Sequence, residues 1–194
     1  MKKILITRKL IKSSEDYASK IFDVKFNKED KIITKDDLIK NSSDCDGVLS
    51  SLTEKIDAEV ISKLSNSIKI ISNFAVGFGN IDIIAAKKKN IIVTNTPDVL
   101  TDATAEIAML ILLGAARRAK EGIEWAKKKN WKWSADFLMG KQLTGARLGI
   151  LGMGRIGRAV ADRAKSFGMI IHYHNRSQLD KNLEKGAIYH NSLE

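Results

Sequence analysis

Short apolar runs alternate with amphipathic stretches along the first hundred residues. Lys3 to Thr7, Val24 to Phe26, Gly47 to Ser50, Ile68 to Asn73 and Ile91 to Thr94 are compact and apolar, as buried strands are. Between them, Ser13 to Phe22, Lys35 to Lys40, Asp57 to Leu64 and Asp82 to Lys89 read as helices. Ser13 or Ser14 suits the cap of the first helix and Thr34 that of the second. Five strands alternating with four helices predict a parallel sheet covered on both faces, with right-handed crossovers. Ligands of such sheets gather at the carboxyl ends of the strands.

Pro97 is the only proline. It fixes its own backbone and holds Thr96 extended, so Asn95-Thr96-Pro97-Asp98 reads as a domain crossing. Beyond it, a long helix capped by Thr101 or Asp102 runs to about Lys120, with Ala105, Ala108, Leu112 and Ala116 on one stripe. An irregular aromatic stretch follows, with Trp125, Trp131, Trp133 and Phe137. A second alternation then begins: strand Arg147 to Leu151, helix Arg155 to Phe167 closed by Gly168, and strand Met169 to His174.

The composition of the 194 residues, 44% hydrophobic and 29% charged, is that of a globular protein and excludes disorder and collagen-like repeats. The longest apolar runs, such as Ile107 to Ala116, are too short to span a bilayer. Arg8 and Lys9 interrupt the apolar start before a signal-peptide core can form, so a cytoplasmic location without membrane contact is expected. A single cysteine, Cys45, excludes an internal disulfide framework and a multi-cysteine metal site, and no metal is expected. The net charge of +10 raises the question of nucleic acid. Its distribution argues against that partner. Lys87-Lys88-Lys89-Asn90 and Lys127-Lys128-Lys129-Asn130 close apparent helices, where cations suit the negative end of the dipole and Asn a left-handed residue. Elsewhere lysines alternate with acids, without the interleaved aromatics that stack bases.

The sharpest chemical signal is Gly152-Met153-Gly154-Arg155-Ile156-Gly157, set directly between a strand and a helix. A bare G-x-G-x-x-G is weak; this context is the one that identifies a dinucleotide site. Gly152 permits the tight turn and Gly154 lets backbone N–H groups approach a pyrophosphate. Gly157 lets the helix pack against the strand, and the helix N-terminus offers partial positive charge to the phosphates. The end of the next strand discriminates NAD from NADP. Asn175-Arg176-Ser177 stands there, with Asn175 18 positions after Gly157 and no carboxylate to bond a ribose 2′-hydroxyl. Arg176 can fork onto a 2′-phosphate and Ser177 can donate a hydroxyl, so NADP is favoured. The rival reading is a polar turn, with NAD held by other contacts.

The run from Leu143 and Gly145 through Leu148-Gly149-Ile150 to Gly157 resembles the cofactor-domain entry of the D-isomer-specific 2-hydroxyacid dehydrogenases. Further segments resemble the same family in the same order. Asn73-Phe74-Ala75-Val76-Gly77-Phe78-Gly79-Asn80-Ile81-Asp82 is similar to the loop before its fourth helix. Thr94-Asn95-Thr96-Pro97 with Thr101-Asp102-Ala103-Thr104-Ala105-Glu106 is similar to its hinge and interdomain helix, and Trp125, Trp131 and Trp133 to its tryptophan-bearing arm. The Asn175-Arg176-Ser177 ending most resembles the NADP-linked glyoxylate and hydroxypyruvate reductase branch. The resemblance implies an α/β fold in two parts. Residues 1–98 form a flavodoxin-like parallel-sheet substrate domain without its C-terminal return helix. Residues 99–194 form the N-terminal part of a doubly wound Rossmann dinucleotide-binding domain.

The resemblance also implies roles. Backbone N–H groups of Val76 and Gly77 hold the substrate carboxylate; the plainer reading is a strand-to-helix turn. Leu52 lines the same cleft or is simply a packed loop residue. Thr104 reaches the cofactor or caps its helix locally. The backbone of Arg155 and Ile156 meets the pyrophosphate. The long helix and tryptophan arm form a twofold homodimer contact, against a bland core role for the tryptophans. The family's catalytic Arg, Glu and His fall downstream of Glu194, so these residues alone are expected to be inactive and to be part of a longer protein. His172, His174 and His190 match none of them and read as structural or surface residues. The implied activity is hydride transfer from NADPH to a small 2-oxo acid such as glyoxylate or hydroxypyruvate. The alternative is a non-catalytic NAD(P)-binding regulator, like the family's corepressor relatives.

Overall fold

The computed structural model describes residues 1–128 and 133–193. The chain divides into two compact units, Met1–Asp98 and Val99–Glu194.

The first unit alternates strands and helices in chain order: β1 (Lys3–Ile6), α1 (Lys12–Ile21), β2 (Asp23–Phe26), α2 (Lys35–Asn41), β3 (Gly47–Ser51), α3 (Ala58–Lys63), β4 (Ile70–Phe74), α4 (Ile83–Lys88) and β5 (Ile92–Thr94). The strands form one parallel sheet of order β2-β1-β3-β4-β5, the flavodoxin-like arrangement. Its register aligns Leu5 with Val48, Val48 with Ile71 and Ile71 with Val93. This apolar row crosses the sheet and packs on Leu38, Val60, Ile61 and Ala86 from α2, α3 and α4. Burial of each large member of the row stabilises the unit by about 1.5–3 kcal/mol.

Three of the four helices start on a side-chain cap three residues ahead of the amide it holds. Thr34 accepts from Asp37 N–H, Asp57 from Val60 N–H and Asp82 from Ala85 N–H. The first helix corrects the expected serine cap. It begins at Lys12, with Ile11 as its uncapped N-terminal residue, so Ser13 and Ser14 already lie inside it. Glu15 instead reaches back to accept from Leu10 N–H at 3.0 Å, tying down the entering chain. Lys87 and Lys88 occupy the last turn of α4 and Asn90 is left-handed, as the charge pattern predicts. Lys89 serves a neighbour: its ammonium donates to the carbonyls of Ile61, Ser62 and Leu64, the open end of α3.

The second unit contains α5 (Thr101–Ala116), α6 (Ala119–Lys127), β6 (Arg147–Leu151), α7 (Arg155–Ser166), β7 (Ile170–His174), α8 (Lys181–Glu184) and β8 (Ile188–His190). Its parallel sheet has the order β6-β7-β8. Met109 from α5, Ala161 and Ala164 from α7, and Ile171 and Tyr173 from β7 share one core. The single long helix expected to about Lys120 is corrected: Arg118 adopts a left-handed conformation (φ 53°) and separates α5 from α6. Arg118 holds Glu121 through two guanidinium nitrogens, at 2.6 and 3.0 Å, across the new first turn. The expected cap is corrected too. Leu100 precedes α5 without a side-chain cap, and Asp102 pairs with Arg163 of α7 at 2.9 Å. Lys127 and Lys128 do close α6; Lys129, Asn130 and Trp131 lie outside the described residues.

Candidate functional site

In the first unit the carboxyl ends of β1, β3 and β4 meet around a buried carboxylate. Glu54, 2% exposed, accepts from Thr7 Oγ1 at 2.8 Å, Ser51 N–H at 2.7 Å and Thr53 Oγ1 at 2.6 Å. These bonds replace the water that an isolated buried carboxylate would need. They also fold the Ser51–Glu54 turn into a fixed shape and leave Leu52 70% exposed at its tip. The packed-loop reading of Leu52 is thereby corrected. Arg8, just past β1, donates to Thr53 Oγ1 and grips Asp30 at 2.8 and 3.2 Å. The Arg8 guanidinium, with Lys9 N–H, pulls the Asp30 carboxyl down to about 2. Its stabilising contribution is complete above the ordinary carboxylate range and is lost as pH falls toward 2.

Two asparagines join this turn to the loop after β4. Asn80 Nδ2 donates to the carbonyls of Ser51 and Glu54, both at 3.0 Å. Fully buried Asn73 accepts from Ser50 Oγ and donates from Nδ2 to Gly77 O at 2.9 Å. Val76 is half-buried and Gly77 exposed, and neither backbone N–H donates to a described residue. The sequence alone does not mark Glu54, Asn73 and Asn80 as site residues. The one available signal was Asn73, a polar residue ending an otherwise apolar strand.

In the second unit the glycine turn joins β6 to α7. Gly152 takes φ +95°, which side-chain-bearing residues rarely adopt, and Gly157 lies hard against the carbonyl of Gly152. At Gly154, the residue before α7, a Cβ would meet nothing within 4 Å, and no side chain caps the helix. The turn therefore leaves an open cradle over the first turn of α7, formed by Arg155 and Ile156, with the dipole's positive end beneath it. A dinucleotide pyrophosphate fits this chemistry.

Two expected cofactor residues are used internally. Met153 buries its side chain in the core, 1% exposed, and its N–H donates to Asn175 Oδ1 at 2.7 Å. The Met153 N–H is thereby committed within the chain, and the bond braces the glycine turn against the end of β7. Arg176 and Ser177 are exposed, and Arg176 pairs with no described residue. Thr104 is exposed in the first turn of α5, and its hydroxyl caps nothing among the described residues. This removes the local-cap reading.

The histidines pair with one another: His172 Nδ1 lies 2.8 Å from His190 Nε2, and His174 Nδ1 2.8 Å from His190 O. No cluster of three or more potential metal ligands occurs among the described residues. No helix among them is long and apolar enough to cross a membrane. Trp125 packs on Phe137, with ring centroids 5.3 Å apart, whereas Trp133 is 75% exposed.

The family profile described as D-isomer specific 2-hydroxyacid dehydrogenase, catalytic domain, matches residues 4–187. The glyoxylate reductase of Thermococcus kodakarensis is 40% identical over 181 residues, covering 91% of this chain and 54% of its own length. The glycerate dehydrogenase of Hyphomicrobium methylovorum is 41% identical over 196 residues, covering 100% of this chain and 61% of its own. The crystal structure of an NADPH-dependent glyoxylate/hydroxypyruvate reductase from Sinorhizobium meliloti, in complex with citrate, superimposes with a TM-score of 0.82 at 28% identity. It covers 100% of this chain and 59% of its own. The chain thus spans little more than half the length of these relatives. Its two parallel α/β units, its glycine turn and the profile match over nearly its whole length agree: the chain belongs to the D-isomer-specific 2-hydroxyacid dehydrogenase family.

Proposed function

We propose that this chain carries the substrate-carboxylate loop and the dinucleotide cradle of an NADPH-dependent reductase of small 2-oxo acids, glyoxylate and hydroxypyruvate among them. Residues 1–98 act as the substrate domain and residues 99–194 as part of the dinucleotide-binding domain. When bound, the nicotinamide supplies the hydride for the carbonyl carbon. The chain's own contribution is binding and orientation. Val76 and Gly77 present N–H groups, which donate to no described residue, to the substrate carboxylate, and Leu52 flanks them. Gly152, Gly154, Arg155, Ile156 and Gly157 shape the pyrophosphate cradle, and Thr104 lies on the first turn of α5 as a further cofactor contact.

The observation that carries the choice of NADPH is the end of β7. It presents an exposed Arg176, paired with no described residue, beside Ser177, and the neutral Asn175 stands where a carboxylate would repel a 2′-phosphate. The family's arginine, glutamate and histidine have no counterparts in these residues, so binding is the direct test. Fluorescence titration should show NADPH bound more tightly than NADH. Arg176→Ala should weaken NADPH about ten- to a hundredfold, the loss of one or two charge-assisted bonds, and NADH by less than about threefold. Equal losses for the two would remove the 2′-phosphate assignment.

The same reading includes a homodimer through α5 and the tryptophan arm. Its support is the outward face of α5, where Ile107, Leu110 and Ile111 are 55%, 64% and 64% exposed at helical spacing. Sedimentation should give a dimer that Leu110→Glu converts to monomer, with dimer affinity lowered more than about tenfold. A Leu110→Glu protein that still sediments as the dimer would place the interface elsewhere.

A further inference from the structure

We infer that Asn95 is a positioning residue for the substrate carboxylate, acting through the peptide groups of the loop after β4; this rests on the proposed role of Val76 and Gly77. Three successive carbonyls of that loop are held from outside it. Ala75 O accepts from Thr96 N–H at 2.9 Å, Val76 O from Asn95 Nδ2 at 2.7 Å, and Gly77 O from Asn73 Nδ2 at 2.9 Å. The peptides of this loop are trans, and in a planar trans peptide the carbonyl and the following N–H point in opposite directions. Pinning those carbonyls therefore turns the N–H groups of Val76, Gly77 and Phe78 away from their holders. None of the three donates to a described residue. Successive outward amides make an anion-binding surface, here fixed before any ligand arrives.

Asn95 has the most direct part in this. Its amide fixes the peptide whose N–H belongs to Gly77, and it reaches that loop from the segment just before Pro97. Without it, the Val76–Gly77 peptide is free to rotate and must be ordered on binding, which lowers affinity for the acid without touching the dinucleotide cradle. Thr94 is the natural control. Its hydroxyl donates to Ser72 Oγ at 3.0 Å, one residue away from Asn95 and outside the loop.

The test is an NMR titration of the 194-residue chain with glyoxylate and, separately, with oxalate, following the Val76 and Gly77 amides. In the unmodified chain both amides should shift on saturation. Asn95→Ala should weaken both acids about tenfold while leaving the NADPH affinity and the remaining amide spectrum unchanged, and Thr94→Ala should behave as the unmodified chain. If the unmodified chain binds and Asn95→Ala binds equally well, the positioning role is overturned and the carboxylate site stands. An unmodified chain whose two amides ignore both acids overturns the carboxylate site and the role of Asn95 together. A loss of NADPH affinity equal to that for the acids would mark Asn95 as merely structural.

Discussion

Gly157→Ala is expected to melt the second unit at a markedly lower temperature than the unmodified chain, and to abolish measurable dinucleotide binding. A Cβ at this position would overlap the carbonyl oxygen of Gly152 and stand 3.2 and 3.3 Å from the Gly152 carbonyl carbon and Ile150 Cγ2. The nearest obstacle is backbone, so no side chain can swing aside; either α7 lifts from β6 or the turn opens. Lifting α7 separates Ala161 and Ala164 from Ile171 and Tyr173, which share one core. Overpacking against an immovable neighbour costs about 3 kcal/mol, which for a unit of this size is roughly 15 °C. Differential scanning calorimetry checks this, with the transition of the first unit as an internal reference. Gly149→Ala is the control, because a Cβ there meets nothing within 4 Å. Equal melting of Gly157→Ala and Gly149→Ala would show that the close approach contributes nothing.

The elements of the first unit, and β6, α7 and β7 of the second, were legible because their signals are local; α8 and β8 carry no such signal, and Trp125, expected in an irregular stretch, lies in α6. The strands Gly47–Ser51 and Arg147–Leu151 are apolar runs, and Thr34, Asp57 and Asp82 stand at the one place in a helix where their side chains can hold an amide. The glycine turn was legible for the same reason. What failed locally failed by competition. Ser13 and Ser14 are good caps, but Glu15 could satisfy Leu10 N–H with the helix started earlier. Arg118 lacks the glycine that usually marks a left-handed break, and the apolar pattern of α5 runs through to it without warning. The scaffold at the strand ends of the first unit was not legible. Glu54 meets Thr7 from 47 positions away, Asn80 meets Ser51 from 29, and Asn95 meets Val76 from 19. Bonds of that span leave no periodicity in the chain; only the folded sheet, by bringing three strand ends together, makes these residues neighbours. The position of Asn175 relative to the glycines marks it, in the sequence, as a residue facing the cofactor. That position is equally one from which its carbonyl can brace Met153 N–H.

Gly154→Ala should separate folding from function where Gly157→Ala cannot. At Gly154 the backbone has φ −74°, open to any residue, and an added Cβ enters empty space. Stability should change by less than about 1 kcal/mol, the scale of exchanging residues at a helix N-cap. The same empty space is where a pyrophosphate must come to reach the first-turn amides of α7. A methyl group there holds the phosphates off by more than a hydrogen bond can stretch, and each charge-assisted bond lost weakens binding by about 1.5–3 kcal/mol. Two such bonds amount to at least about a hundredfold, and the loss should be equal for NADPH and NADH, since both carry the pyrophosphate and only one the 2′-phosphate. Calorimetric titration with each dinucleotide, beside a thermal melt, measures both sides of the expectation. Together with Arg176→Ala, which should discriminate between the two dinucleotides, the variant locates the two phosphate groups independently. An unchanged affinity in a well-folded Gly154→Ala protein would mean that the pyrophosphate does not lie over this turn, and the cradle would lose its assignment even though the family membership would not.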